Sequence, residues 1–155
     1  MYEGRHFQNA YVTRDIEKWV AHFEENAQID RLLRHEGTTV VDVYGVPATQ
    51  TCKLAFLWIG GLQYELIQPV DGKVEIYSDG LPADDGLAFH HICTRIDDWD
   101  DFRARVAEQP LPIVLERDSE GPGLKFLYLD ARATVGHYLE YVWMSDAQWA
   151  GMGGR

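Results

Sequence analysis

Apolar and polar positions follow one another in short runs along this chain, and the runs fall into two similar series. Residues 7–13 carry Phe7, Tyr11 and Val12, types that favour extended backbone, and predict a first strand. The spacing then lengthens. Ile16, Trp19, Val20 and Phe23 share one face of a helix over 16–25, with Asp15 placed to cap it and Glu17 in its first turn. Gly37 ends the following connection, and strands are expected at 38–44, 52–59 and 63–68, divided by Gly45-Val46-Pro47 and by Gly60-Gly61. A polar stretch over 71–85 reads as a connection containing a short extended piece at 74–77. The order then restarts with a strand at 89–96. Asp97 or Asp98 caps a helix over 99–108, with Trp99, Phe102 and Val106 on one face and Pro110 and Pro112 as its stop. Strands at 113–117, 125–130 and 137–143 complete the series, with 118–123 as a loop.

Strand, helix and three strands therefore occur twice, and a hidden repeat outweighs any single motif. The first matching strings are Gln8 to Asp15 and His91 to Asp98; in each, a polar residue precedes the junction aspartate by seven positions. The second are Glu65-Leu66-Ile67 and Glu140-Tyr141-Val142. Gln8 and His91 lie 83 residues apart and the two glutamates 75, a difference of eight that loop length can absorb. The chain divides into module one at about 5–70, a connection at 71–86, module two at about 87–145 and a tail at 146–155.

The 155 residues suit one domain, and 46% hydrophobic content is ordinary for a globular core. No apolar run approaches the roughly 18 residues a bilayer span needs. Met1 to His6 lacks the apolar centre of a signal peptide, so a cytoplasmic protein is expected. Cys52 and Cys93, the only two cysteines, are expected to stay reduced. The formal charge of −11 repels nucleic acid and anionic membranes, while saying nothing decisive about the substrate; a small-molecule substrate is expected from the metal-site reading that follows.

Chemistry enters with the two glutamates. Glu65 and Glu140 lie inside apolar strands, where a buried carboxylate needs a partner, and a cation is one solution. With regular strand alternation, Gln8, Glu65, His91 and Glu140 all reach one concave face. Two carboxylates, an imidazole and an amide oxygen suit Zn, Ni, Co, Mn or Fe as the divalent ion and leave positions open for water or substrate.

The strings 12–17 and 91–98, together with Glu65-Leu66-Ile67-Gln68-Pro69, resemble the paired-module signature of the vicinal oxygen chelate superfamily. That superfamily includes glyoxalase I, methylmalonyl-CoA epimerase, extradiol dioxygenases and bleomycin- and fosfomycin-resistance proteins. The resemblance covers about residues 5–145 and implies an α+β fold, in which two βαβββ modules form a partly closed curved sheet around one site. It places the metal ligands on Gln8, Glu65, His91 and Glu140, a set similar to that of zinc-type glyoxalase I, while the surrounding strings look closer to the epimerase branch. It also implies a homodimer, with the site built within one chain or across two.

Departures from the pattern narrow the substrate. Val12 replaces the arginine and Pro69 the asparagine that serve glutathione in glyoxalase I. No glutamate matches the epimerase's additional base around 46–51, and the dioxygenase pair of histidines is met by His91 alone unless His6 substitutes. The expected activity is metal-dependent proton transfer next to a carbonyl: an isomerase, an epimerase or a glyoxalase-type lyase. Glu140 is the first candidate base and Glu65 the second. The alternatives are a metal-free binding protein of the bleomycin-resistance kind and, further off, a non-haem iron dioxygenase.

Other residues take lesser roles. His90 faces away from His91 on a regular strand and is expected to pack or to hydrogen-bond behind the site. His6 is expected foremost as a solvated terminal residue, although it shares parity with Gln8 and could reach the mouth of the site; His137 is expected outside it. Phe56, Trp58, Tyr128 and Tyr138 could form cavity walls and Cys93 could line the cavity, but the leading expectation for each is an ordinary core side chain; the tail from Met144, with Trp149, is a candidate for a cover over the opening or a disordered end.

Overall fold

A computed structural model describes residues 2–118 and 123–154; most of the loop expected at 118–123 lies outside the described residues. The first module comprises β1 (Arg5–Val12), α1 (Ile16–Asn26), β2 (Arg31–Val43), β3 (Val46–Ile59) and β4 (Leu62–Gly72). A short helix, α2 (Glu75–Ser78), lies in the connection. The second module comprises β5 (Ala88–Arg95), α3 (Trp99–Ala107), β6 (Ile113–Arg117), β7 (Lys125–Asp130), the one-turn α4 (Arg132–Val135) and β8 (Tyr138–Trp143). The tail forms α5 (Asp146–Gly151).

Local chemistry explains most of these boundaries. The Asp15 carboxylate accepts the Lys18 N–H at 3.1 Å and the Asp98 carboxylate accepts the Asp101 N–H at 3.0 Å, so both long helices start on the expected cap. Gly60 and Gly61 both have positive φ, 59° and 86°, as a two-residue hairpin turn with the twist of its flanking strands requires.

Two expectations fail. β2 begins at Arg31 and runs through Gly37, because its pairing with β3 is unbroken from Arg31–Trp58 to Val43–Val46. Fourteen residues of partner strand outweigh the entropic cost of one glycine. The piece at 74–77 is not extended: Gly72, at φ 79°, turns the chain out of the sheet and residues 75–78 coil into α2. A short apolar run reads equally well as strand or helix, so periodicity could not decide it.

The strands form a closed ring in the order β1-β4-β3-β2-β6-β7-β8-β5. β1 pairs parallel with β4, β5 pairs parallel with β8, and the modules meet through the antiparallel β1–β5 pair. At the far side the ring is closed by only two registered pairs, Asp42–Glu116 and Val43–Leu115. The curved sheet that the resemblance implied is present, and its two edges meet.

Strand alternation divides each module into two faces. Ala55, Leu57 and Leu66 pack with Ile16 and Val20 of α1, while Leu127, Leu129, Leu139 and Tyr141 pack with Trp99, Phe102 and Val106 of α3. Each such fully buried side chain contributes about 1.5–3 kcal/mol relative to exposure. The intervening residues, including Leu54, Phe56, Glu65, Phe126, Tyr128, Glu140 and Val142, line a cavity of about 470 Å³ inside the ring. Among the described residues no helix is long and apolar enough to cross a membrane.

Candidate metal centre

The register places four positions symmetrically. In module one Gln8 pairs with Gln63 and Ala10 with Glu65; in module two His91 pairs with Tyr138 and Cys93 with Glu140. The offsets of 83 and 75 seen in the sequence are therefore the offsets of equivalent strand positions.

A β-bulge precedes each donor. Between β1 and β5 the pairing runs His6–Thr94 then Gln8–Cys93, leaving Phe7 as an extra residue, and Ala10–His91 then Tyr11–Phe89, leaving His90 as an extra residue. A bulge re-aims the side chains beside it. Phe7 and Gln8 are consequently both buried, as are His90 and His91. The same shift corrects two readings built on regular alternation. His6 loses parity with Gln8 and is exposed, as expected of a solvated terminal residue, at a separate pocket with Arg5, Trp58 and Trp149. His90 turns toward His91 rather than away from it.

Glu65, His91 and Glu140 converge within this single chain. One ligand atom from each lies within 4.8 Å of the others, and together they could hold a metal ion. His91 Nε2 is 3.0 Å from Glu140 Oε2 and 3.4 Å from Glu65 Oε2. Gln8 lines the same cavity. Its Nε2 donates to Gln63 Oε1 at 2.7 Å, and its buried Oε1 has no hydrogen-bond partner. A buried amide oxygen left unpaired in the cavity that Glu65 and Glu140 also line is a donor type an oxygen-rich cation site can use, so the residues present fit a divalent ion.

Electrostatics agree with a cluster built for charge. Burial opposes protonation of His91, but hydrogen bonds to Glu140 and Glu65 and their charges outweigh it and lift the imidazole to about 9. Burial raises Glu65, against the hydrogen bond and charge of His91 and with the charge of Glu140. His90 is held neutral: burial first, then the charge of His91, lowers it to about 3. Burial, reinforced by Glu65, pushes the Cys52 thiol up to about 12, and burial with the charge of Glu140 raises Cys93 far above its usual range. Both cysteines are free, line the cavity and stay protonated near neutral pH.

A family model described as the glyoxalase/bleomycin resistance protein/dioxygenase superfamily matches residues 7–128. The chain belongs to that superfamily. No curated protein matches it. Methylmalonyl-CoA epimerase from Mycobacterium tuberculosis superposes with a TM-score of 0.64 at 17% identity, covering 94% of this chain and 91% of that one. A variant of the Streptomyces coelicolor epimerase in complex with 2-nitronate-propionyl-CoA gives 0.63 at 17% identity over 92% and 98% of the two chains. A hypothetical protein from Bacillus halodurans gives 0.63 at 18% over 92% and 95%. At these identities the likeness speaks for the fold.

The rest of the cavity wall is mixed. Phe56, Tyr128 and Cys93 line it, the less favoured of the two readings for each, whereas Trp58 belongs to the pocket of His6, and Tyr138 packs tilted against His90 with ring centroids 4.9 Å apart. His137 lies outside the wall and packs on Phe89. The tail is ordered: Trp149 is buried, and Met144 and Met152 complete one side of the cavity, where the Trp58 Nε1–H donates to the Met152 carbonyl at 2.6 Å. Sequence reasoning missed Gln50, whose buried amide oxygen in the wall has no partner, and Tyr77, whose hydroxyl donates to that of Tyr128 at 3.3 Å. An amide in a strand and a tyrosine in a connection are too common for either to stand out from the sequence.

Proposed function

We propose that this chain is a divalent-metal-dependent enzyme that moves a proton next to a carbonyl group of a small organic substrate. Gln8, Glu65, His91 and Glu140 would hold the ion. The observation that carries this reading is the convergence of Glu65, His91 and Glu140 within 4.8 Å, with the two glutamates in the wall of a cavity of about 470 Å³ and His91 fully buried behind it. A divalent ion bound there supplies a Lewis acid for the substrate carbonyl and stabilises negative charge as it develops on that oxygen.

The side chains supply the rest. Glu140, exchanging between ligand and base, accepts the proton from the carbon beside the carbonyl and returns it to the same or a neighbouring atom, which gives epimerisation or isomerisation; Glu65 is the second candidate for this task. Leu54, Phe56, Phe126, Val142, Met144 and Met152 exclude water from the reacting atoms and favour an apolar substrate body. Gln50 Oε1 is a free acceptor for a substrate hydroxyl or amide. Two of the three structural neighbours are named epimerases, and epimerisation is this same removal and return of a proton. Residues 46–51 contain no carboxylate, which turns the reading away from the acyl-CoA substrate of those enzymes.

One observation favours the competing reading of a metal-free binding protein: the cluster satisfies itself, with His91 donating to Glu140. Elemental analysis of protein purified without chelators separates the two. About one divalent ion per chain is expected, and absence of binding even after reconstitution would overturn the enzyme. With α-hydroxy carbonyl and acyl substrates as the screen, Glu140→Gln is expected to lower turnover by about 10²–10⁴ while some metal remains bound. Unchanged turnover would remove Glu140 from the mechanism.

A further inference from the structure

We propose that His90 is a positioning residue that fixes which ring nitrogen of His91 faces the candidate metal centre, through a hydrogen-bond relay anchored on the connection between the modules. His90 Nε2 lies 2.7 Å from the Ile76 carbonyl oxygen, and His90 Nδ1 lies 2.8 Å from His91 Nδ1. His91 Nε2 in turn faces Glu140 and Glu65.

The protons in this chain are determined from one end. A backbone carbonyl only accepts, so His90 must carry its proton on Nε2. A neutral His90 protonated there presents a lone pair at Nδ1. The nitrogen facing that lone pair, His91 Nδ1, must then be the donor. Once the Nε2 proton that Glu140 accepts has left, Nε2 of His91 is the ring nitrogen whose lone pair a cation can take. With the relay reversed, Ile76 would face a lone pair and His91 would offer its proton to the site. An imidazole ligand generally needs such an outer partner to hold tautomer and ring plane together.

The relay is enclosed. Tyr77, buried in α2, packs against His90 with centroids 5.2 Å apart, and Tyr128 packs edge-on to His91 at 4.9 Å. The 2.8 Å contact between the two Nδ1 atoms needs a lone pair on one of them, and the ring whose Nε2–H is held by Ile76 supplies it. Because Ile76 and Tyr77 lie in α2, the connection itself takes part in the site. The bulge in β5 makes this possible by turning His90 toward its neighbour.

The zinc arm of the test rests on the metal-centre reading; the spectroscopic arm does not. In ¹⁵N-resolved imidazole spectra of the metal-free protein at neutral pH, His90 is expected as the Nε2–H tautomer. The Nδ1–H tautomer, or a charged ring, would overturn the proposal. In competition with a chromophoric chelator, His90→Phe is expected to weaken zinc binding about 10–100-fold relative to the parent. His90→Gln, whose amide can accept from His91 and donate to Ile76, is expected to recover most of that affinity. Parental affinity in His90→Phe, or no recovery in a folded His90→Gln, would overturn the relay. A parent that binds no zinc while His90 shows the expected tautomer would sink the metal reading and leave the hydrogen-bond order standing.

Discussion

The two modules aim their key side chains by the same backbone device and then put different chemistry on it. In both, a bulge residue precedes the donor: Phe7 before Gln8, His90 before His91. In module one the bulge residue is apolar and packs edge-on to Trp149 at 4.8 Å. In module two it is an imidazole that hydrogen-bonds the donor. The difference follows from what each donor needs. An amide has only to be kept from rotating, and Gln63, paired with it across β1–β4, does this through one hydrogen bond. An imidazole must also have its proton placed, which takes a partner with a defined lone pair. A duplicated scaffold thus fixes where a side chain points, while the neighbouring residue decides the form in which it is presented.

The widest gap between the modules should appear in metal binding. His91→Ala is expected to weaken zinc by more than the roughly 100-fold that outer partners command, and Gln8→Ala by only about ten-fold. Equal losses, read by chelator competition, would mean that the halves contribute alike and would remove the asymmetry.

A smaller effect concerns pH in the metal-free protein, where the adjacent imidazoles of module two move in opposite directions. His91 is raised from 6.5 to about 9 in the folded state, so its stabilising contribution is complete below about 6.5 and is lost as pH rises through 9. His90 is lowered to about 3, so the unfolded chain gains a proton that the folded chain refuses, and stability falls as pH drops below about 6.5. The melting temperature of the parent should therefore pass through a maximum near pH 6.5, and His91→Gln should flatten the alkaline side while softening the acid side less, since burial is the larger cause of the His90 shift. An unchanged alkaline limb in that variant would show that His91 does not carry it.

The smallest effect tests sameness. Asp15→Ala and Asp98→Ala each remove one capping hydrogen bond at equivalent positions and should each cost about 1 kcal/mol in denaturant unfolding. A cost at one helix only would show that the modules differ in their frame as well as in their site.

Much of this fold was legible in the residues. The strands over 113–117 and 125–130 fall where β-branched and aromatic side chains sit between turn residues, and both helices start at their predicted caps. Of the four candidate ligands, Glu65, His91 and Glu140 converge, and Gln8 shares their cavity with an unpaired oxygen. The start of β2 at Arg31 was hidden because Gly37 breaks the local pattern while cross-strand pairing with β3 overrides it. α2 was hidden because a four-residue apolar piece carries no period.

The amino-acid order alone determined the duplicated strand–helix–strand series, the caps and the residue types able to hold a cation, since these depend on near neighbours and on side-chain chemistry. Only the tertiary structure decided the bulges at Phe7 and His90, the closure of the ring and the contact between Ile76 and His90. Each of these is a pairing between distant segments, set by which backbone groups meet across the sheet, and a local pattern of hydrophobic and polar positions holds no record of it.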